Sequence, residues 1–481
     1  MSSKRKEILF FTMYKFKINF CDENYINDFN ETVRSFYPLA TTAEDGDIIE
    51  LSQDFSNGVL ISRLTMFSKN YERRDHVSCV DEIVFKRDKK RSLKLLLYKT
   101  LSDFLSKSLP WGSLTGIRPT KLGHDILARG QNPVSVLEND YYVTRERAEL
   151  VGEILNVQKG IYSTDPLDVD LYINIPFCVS RCSYCSFVSA LCDDKKKLLL
   201  PYAQTLSKEL ESAQRIIEDR GLNLRSIYCG GGTPTSFSAE LLKIVFSRLS
   251  IRGREFTVEC GRPDTITKDK LDFLSSIGVT RISINPQTFN QQVLENIGRN
   301  HTVQDIYDAY ELARRYDFNI NMDLIADLPG DTYQSFMDSV SRCVDLNPEN
   351  VTIHTLSIKH SSKMKDENYD NRILVSDVVN MVSDGRTYLK SNGYKPYYLY
   401  RQKNTSGNLE NTGYTRENHA CIYNVDVMEE TTSTISCGAG GISKRVFHDS
   451  MRIERQNVVK NIEQYLRDVD EIIIKKIGFF E

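Results

Sequence analysis

From about residue 168 onward, apolar residues recur in short runs at regular spacing: Leu171–Ile175, Ser226–Cys229, Phe256–Cys260, Arg281–Asn285, Ile320–Ile325 and Val351–Leu356. Each run has the length of a strand. Between most of them the apolar period becomes helical. Ala203, Leu206, Leu210, Ala213 and Ile217 fall three or four apart, on one helix face. Strand and helix alternating over six rounds predict βα units built on a parallel sheet. The expected fold class is α/β, a partial (β/α)6 barrel over residues 166–356. In such folds the chemistry sits where strands end and loops begin.

The flanks read differently. Residues 1–165 mix β-like runs (Ile8–Phe11, Gly58–Met66, Glu82–Lys86) with a helix from Ser92 to about Leu109, an α+β extension of unassigned role. The turn-rich Pro110–Pro119 holds the only Trp, Trp111, expected to pin this loop to a core. Residues 357–481 carry a looser pattern, expected to form a C-terminal domain covering the substrate. There Tyr394, Tyr397, Tyr398 and Tyr400 lead into Arg401, Gln402, Lys403 and Asn404, and Cys437-Gly438-Ala439-Gly440-Gly441 follows. A helix over about Val458–Ile474 is expected to close the chain.

The strand ends carry the special residues. Pro176, Phe177, Cys178, Cys182 and Cys185 follow the first run, and Gly230-Gly231-Gly232-Thr233-Pro234-Thr235 the second. Glu259 ends the third, Pro286 and Gln287 follow the fourth, and Asp323 lies in the fifth.

Composition narrows the classes. The 481 residues are 40% hydrophobic and 26% charged, which suits a globular chain with ample core and excludes a collagen-like or largely disordered one. Sixty-two Lys+Arg against 65 Asp+Glu leave a net charge of −3, so no basic excess points to nucleic acid. No apolar stretch approaches the ~20 residues of a membrane span. Lys15 and Lys17 interrupt any apolar leader, so Met1–Phe20 reads as a mature strand. The expected location is cytoplasmic, with reduced thiols; 11 Cys, an odd number, do not read as a disulfide framework.

Cys178, Cys182 and Cys185 form a C-x3-C-x2-C triplet. Three thiolates on one loop can hold three irons of a [4Fe–4S] cluster, leaving the fourth iron open. Zinc is the other soft-ligand reading. A structural zinc needs a fourth ligand; there is no second C-x2-C, and Cys192 is the nearest further thiol. The bare backbone of Gly230–Gly232 can approach a zwitterionic ligand closely. It lacks the Gly-Lys-Ser/Thr ending of a P-loop.

Together, the triplet, the Gly-Gly-Gly-Thr-Pro-Thr loop, Glu259, Gln287 and Arg299 resemble the radical S-adenosylmethionine superfamily. Within it they resemble the oxygen-independent coproporphyrinogen III dehydrogenases. Trp111–Thr120, Phe256–Asp264, Tyr400–Asn404 and Gly407–Asn411 make the whole chain similar to the HemZ-type branch. The resemblance implies that Cys178, Cys182 and Cys185 ligate a [4Fe–4S] cluster whose open iron binds S-adenosylmethionine. It implies contacts to that molecule from Tyr172, Gly231 and Glu259, with Tyr172 and Glu259 closest to the chemistry. It implies that Tyr184, Gly232, Thr233, Gln287, Arg299 and Asp323 contact this S-adenosylmethionine or a second one. Arg299 suits a carboxylate by forked hydrogen bonding.

The implied reaction is conversion of coproporphyrinogen III propionates to vinyl groups by a 5′-deoxyadenosyl radical, giving protoporphyrinogen IX. The implied partners are the tetrapyrrole and a reductant such as flavodoxin or ferredoxin. Arg401, Lys403 and Arg262 are candidate cations for the substrate's carboxylates. Two departures bear on activity. Phe187 stands where better-known dehydrogenases have a further Cys, and Asn174 where they have His. Phe187 is shared with related heme chaperones, so the alternatives are a heme chaperone and a tetrapyrrole-acting radical methyltransferase. The chaperones' His-Asn-x-x-Tyr element is echoed only by His419 and Tyr423, with Ala420 between them.

Overall fold

The computed structural model describes residues 14–20, 25–37, 40–79, 82–115, 118–187, 189–357, 375–402, 405, 408–449 and 452–481. The expected strand Ile8–Phe11 falls outside them, as do Lys403, Asn404 and Gly407. The chain forms two compact units, Met1–Gly152 and Glu153–Glu481. Among the described residues no helix is long and apolar enough to cross a membrane.

In the first unit a five-stranded sheet has the order Thr41–Thr42, Lys15–Asn19, Asp47–Ser56, Val59–Met66, Lys69–His76. Phe16 and Ile18 turn inward beside Phe29, Val33, Leu97 and Leu101 of two helices, while Lys15 and Asn19 are exposed. Glu82–Lys86, expected as β-like, is instead the start of the helix Glu82–Leu105. Five residues are too few to distinguish the two periods. Here Lys86 reaches back to Glu82 at 2.6 Å, an i,i+4 pair that only a helix provides. The helix also ends four residues before the expected Leu109. Trp111 is buried, and its turn is fastened where Ser113 N–H and Oγ both donate to Tyr141 O, at 2.9 and 3.0 Å.

The second unit is organised by an eleven-stranded sheet. We number its strands β1 (Asp168–Ile175), β2 (Asn223–Gly231), β3 (Glu255–Glu259), β4 (Arg281–Ser283), β5 (Asn319–Ala326), β6 (Asn350–Thr355), β7 (Lys395–Arg401), β8 (Glu410–Thr415), β9 (Ser433–Cys437), β10 (Ile442–Phe447) and β11 (Arg452–Asn457). Their order is β7-β8-β6-β5-β4-β3-β2-β1-β9-β10-β11. All six expected runs are present, side by side and parallel. Among the described residues the two ends of the order do not pair, so the sheet is open rather than a closed barrel. The later chain extends this sheet at both edges. β8 pairs antiparallel with β6, β7 pairs antiparallel with β8, and β9 joins β1 in parallel.

Successive strand residues point to opposite faces. Leu171, Ile173, Ile227, Val258, Ile282, Ile320, Met322 and Ile353 face the helices in one core. The alternate positions are polar: Asp170, Tyr172, Asn174, Ser226, Tyr228, Thr257, Glu259, Arg281, Ser283, Asn321, Asp323, Thr352 and His354. Parallel sheets usually bury apolar residues on both faces; a polar inner face marks a barrel that holds something other than its own side chains.

The amino ends of the strands are closed by the helix Ile422–Glu429. Glu255 accepts from Ile422 N and Tyr423 N at 3.2 and 3.4 Å, capping its positive end, and from Arg281 at 3.1 Å. On the outer face, helices Lys196–Asp219 and Ile462–Phe479 share a fully buried ion pair, Glu209 with Lys476. Tyr465 OH and Gly438 N–H donate to Glu209 Oε2 at 2.6 and 2.7 Å, and Lys476 also donates to Ser436 O.

Candidate active site

The cysteine loop leaves the carboxyl end of β1. Its backbone is fixed from two sides: Phe177–Cys178 pairs with Ala190–Leu191, and Ser183 N–H donates to Ile297 O at 3.0 Å. The glycine loop beyond β2 lies directly beneath it. Gly232 N–H donates to Ile175 O at 2.9 Å and Thr233 N–H to Phe177 O at 2.7 Å. A Cβ on Gly232 would stand 2.4 Å from Phe177 O and 2.9 Å from Cys178 Sγ. Gly231 has φ +116°, and a Cβ there would meet Asn174 Oδ1 at 2.2 Å. Only glycine fits both positions. Thr233 Oγ1 lies 3.7 Å from Cys178 Sγ.

Two arginines back the loop. Arg299 is buried; it donates to Gly261 O at 3.2 Å and to Asn285 O, and reaches Tyr184 OH at 3.5 Å. It lies past the short helix Gln291–Asn296, in the following loop rather than on the helix itself. Arg262 is also buried, against Ser180, Cys182 and Asp264, and so does not line a substrate mouth. Burial pushes the Cys178 and Cys185 thiols up. Metal binding to these thiols must therefore displace protons. Cys192 is bonded by its N–H to Cys178 O at 3.0 Å, while its sulfur points to Ser236 O at 3.9 Å.

Along the inner face, Tyr172 and Tyr228 are register partners on β1 and β2, with rings 6.2 Å apart. Tyr423 stacks on both, at 6.0 and 4.2 Å. Tyr228 OH donates to Glu259 Oε1 at 2.7 Å. Burial pushes Glu259 up to about 7; the Tyr228 bond opposes this and the nearby charge of Asp323 adds to it. Burial likewise pushes the Tyr172 phenol up. Burial works against the charge of Asp323 too, yet bonds from His354, Asn321 and Thr352 hold it below the usual carboxylate range. His354 stands with Nε2 3.6 Å from Asp323 and Nδ1 3.2 Å from Tyr400 OH. Gln287 has φ +67°, a strained conformation for a residue with a side chain. Its N–H and C=O bridge to Asp323 O and Ile325 N, both at 2.9 Å.

The cysteine triplet, Tyr184, Gly231, Gly232, Thr233, Glu259, Gln287 and Arg299 lie at or beyond the carboxyl ends of β1 to β4, whereas Tyr172 and Asp323 lie mid-strand on the inner face of β1 and β5. A model of the radical S-adenosylmethionine superfamily matches residues 172–343. Over 387 residues the chain is 37% identical to the oxygen-independent coproporphyrinogen-III oxidase-like protein HemZ of Bacillus subtilis, covering 77% of each chain. The chain belongs to the HemZ-type branch of the radical S-adenosylmethionine superfamily. It is also 34% identical over 195 residues to the heme chaperone HemW of Bacillus subtilis, covering 39% of this chain and 50% of that one. Its fold matches the coproporphyrinogen III oxidase HemN of Escherichia coli, a radical S-adenosylmethionine enzyme, with TM-score 0.51 and 21% identity over 68% of this chain and 73% of that one.

Membership in this superfamily implies a [4Fe–4S] cluster and S-adenosylmethionine. The donor set fits them. Three thiols share one loop, close enough to act on one another electrostatically. Among the described residues no three ligand side chains converge on a single ion. A cubane asks for no such convergence, since each thiolate binds a different iron. Beside the loop, the buried atoms Ser283 Oγ, Asn285 Oδ1, Gln287 Oε1 and Arg299 Nε have no hydrogen-bond partner within the protein. An unmet buried polar group costs about 1–3 kcal/mol, so four together suit a ligand rich in polar atoms, as S-adenosylmethionine is.

The sequence of this radical S-adenosylmethionine chain gave no expectation for Tyr228 or His354, and Tyr423, expected only as an echo of the chaperone element, stacks on Tyr172 and Tyr228. The available signal was the alternation itself: Tyr228 lies between Ile227 and Cys229, and His354 follows Ile353, so each faces away from the helix-side core. His419 sits at the opposite end of the sheet, its Nδ1 2.6 Å from Asn319 Oδ1 and its carbonyl bonded by Arg281 and Asn350.

Proposed function

We propose that this protein oxidatively decarboxylates propionate side chains of coproporphyrinogen III to vinyl groups, without oxygen, giving protoporphyrinogen IX. The observation that carries this reading is the gathering of the cysteine loop, glycine loop, Glu259, Gln287 and Arg299 at one end of neighbouring parallel strands, with Asp323 on the same inner face. The substrate is taken from the similarity to the HemZ protein.

In this reading Cys178, Cys182 and Cys185 hold the cluster, and Tyr172, Gly231, Gly232 and Thr233 shape the adjoining pocket. When bound, the cluster and S-adenosylmethionine supply one-electron chemistry that ends in hydrogen-atom abstraction from the propionate. Arg299 and Gln287 orient carboxylate and hydroxyl groups of the ligand through the polar atoms that the protein leaves unmet. Tyr184 steadies Arg299 in that task. Glu259, poised near neutrality, accepts a ligand hydrogen bond when ionised and donates one when protonated, with Tyr228 fixing its orientation. Asp323 on β5, held below the usual carboxylate range, accepts hydrogen bonds as a carboxylate, with His354 of β6 beside it. The helix Ile422–Glu429 closes the far end of the barrel and keeps water from that side.

Arg401 ends β7 on the same side as the cysteine loop, since β7 runs parallel to β6 through antiparallel β8. Burial pushes it down to about 10, still cationic at neutral pH. It is the cation we assign to a substrate carboxylate. The reductant is a small low-potential electron carrier of the flavodoxin or ferredoxin kind.

Anaerobic incubation with coproporphyrinogen III, S-adenosylmethionine and dithionite, followed by chromatography, tests the reading. Protoporphyrinogen IX is the expected product. Stoichiometric heme binding without any decarboxylated product overturns the assignment in favour of a heme chaperone, and a methylated tetrapyrrole overturns it in favour of a methyltransferase.

A further inference from the structure

Arg262 follows β3 in Cys260-Gly261-Arg262-Pro263-Asp264 and is 3% exposed. Its Nε and Nη2 donate to the two oxygens of Asp264, at 3.1 and 3.2 Å. Its Nη1 turns to the cysteine loop, donating to Ser180 Oγ at 2.8 Å and standing 3.9 Å from Cys182 Sγ. These contacts engage four of the guanidinium's five N–H groups. What it faces is the sulfur of one cysteine of the triplet.

The charges around the pair are few and definite. His301 is buried, with Nδ1 3.9 Å from Asp264 Oδ1. Burial, and then Arg299, push its imidazole down to about 3, so it adds no charge at neutral pH. Arg299 acts on Cys182 from the other side. Within the loop Arg181 acts on Cys185, and Lys270 acts on Asp264.

We propose that the Arg262–Asp264 pair sets the reduction potential of the cluster that Cys182 helps to hold. This rests on reading the triplet as a [4Fe–4S] site. Reduction moves one electron from a low-potential one-electron donor to the cluster, makes and breaks no bond, and raises the site's negative charge by one. A buried guanidinium beside a ligand sulfur favours the more negative state. Asp264 limits that bias while aiming the fork, as an outer partner orients a ligand. Arg262 is thus a tuning and positioning residue rather than a substrate contact.

The test is an anaerobic redox titration of the reconstituted full-length protein, followed by the electron paramagnetic resonance signal of the reduced cluster. Arg262→Gln is expected to make reduction at least tenfold less favourable, about 59 mV for a one-electron couple. Asp264→Asn is expected to shift the midpoint the opposite way, and Arg262→Lys to fall between Arg262→Gln and wild type. Midpoints unchanged from wild type at equal iron and sulfide content overturn the proposal. If Arg262→Gln fails to keep its iron, Asp264→Asn decides alone. Loss of iron from both variants also overturns it, because the pair is then a structural clamp. Wild-type protein that takes up no iron or sulfide defeats the cluster reading itself, a separate result read from the unmutated chain.

Discussion

Tyr228 donates its hydroxyl to Glu259 across 2.7 Å, from the middle of one parallel strand to the end of the next. A carboxyl lifted from 4.5 to about 7 binds an extra proton in the folded state. Folding then loses stability as pH rises from about 4.5 through about 7, and the full penalty stands above that range. Glu259→Gln keeps an acceptor for Tyr228 and removes the charge. It should stabilise the cofactor-free protein by about 1–3 kcal/mol at pH 8 and scarcely at all at pH 4.5. Urea unfolding at the two pH values checks this.

Tyr228→Phe takes away the bond that pulls Glu259 down. The carboxyl should titrate higher than in wild type, and the variant should lose about 1–3 kcal/mol at pH 8, where an ionised oxygen is left without its donor. The loss should shrink at pH 5. Denaturation curves at both pH values, with Glu259→Gln as the reference background, separate this effect from simple loss of packing.

Cys182→Ala should remove the broad brown absorbance of the reconstituted protein together with most of its iron and sulfide. Gly232→Ala should do the same with all three cysteines intact, because its Cβ would fall 2.4 Å from Phe177 O. Iron and sulfide analysis checks both, and full metal content in Gly232→Ala would show that the two loops can separate.

The buried pair of Glu209 and Lys476 makes a prediction far from the site. Removing one partner strands a charge in the core; Lys476→Met should cost about 3–5 kcal/mol. The double variant Glu209→Gln with Lys476→Met should recover much of that loss. Thermal or urea unfolding of the single and double variants gives the coupling.

The six parallel strands were legible because short apolar runs recur at regular spacing between helical periods. Asp47–Ser56 went unread, for it alternates Ile49 and Leu51 with polar residues and has no apolar run. The parallel pairing of β9 with β1 was equally hidden, because register between distant segments leaves no local mark. At the site, the triplet and the glycine loop were legible from spacing. Tyr228 and His354 were marked only by the strand alternation, and the stacking of Tyr423 on Tyr172 and Tyr228 joins segments far apart in the chain. Arg262 was legible as a cation but not in its direction, which Asp264, two residues on, decides.

β1 leads straight into the cysteine loop, and its outer neighbour β9 comes from residues 433–437. During synthesis, therefore, the strand that delivers the metal-binding thiols keeps a bare hydrogen-bonding margin until residue 437 has emerged. Unpaired margins recruit other chains. Products cut short before that point carry the thiols on an adhesive edge, and should partition into aggregates rather than persist as partly working enzyme.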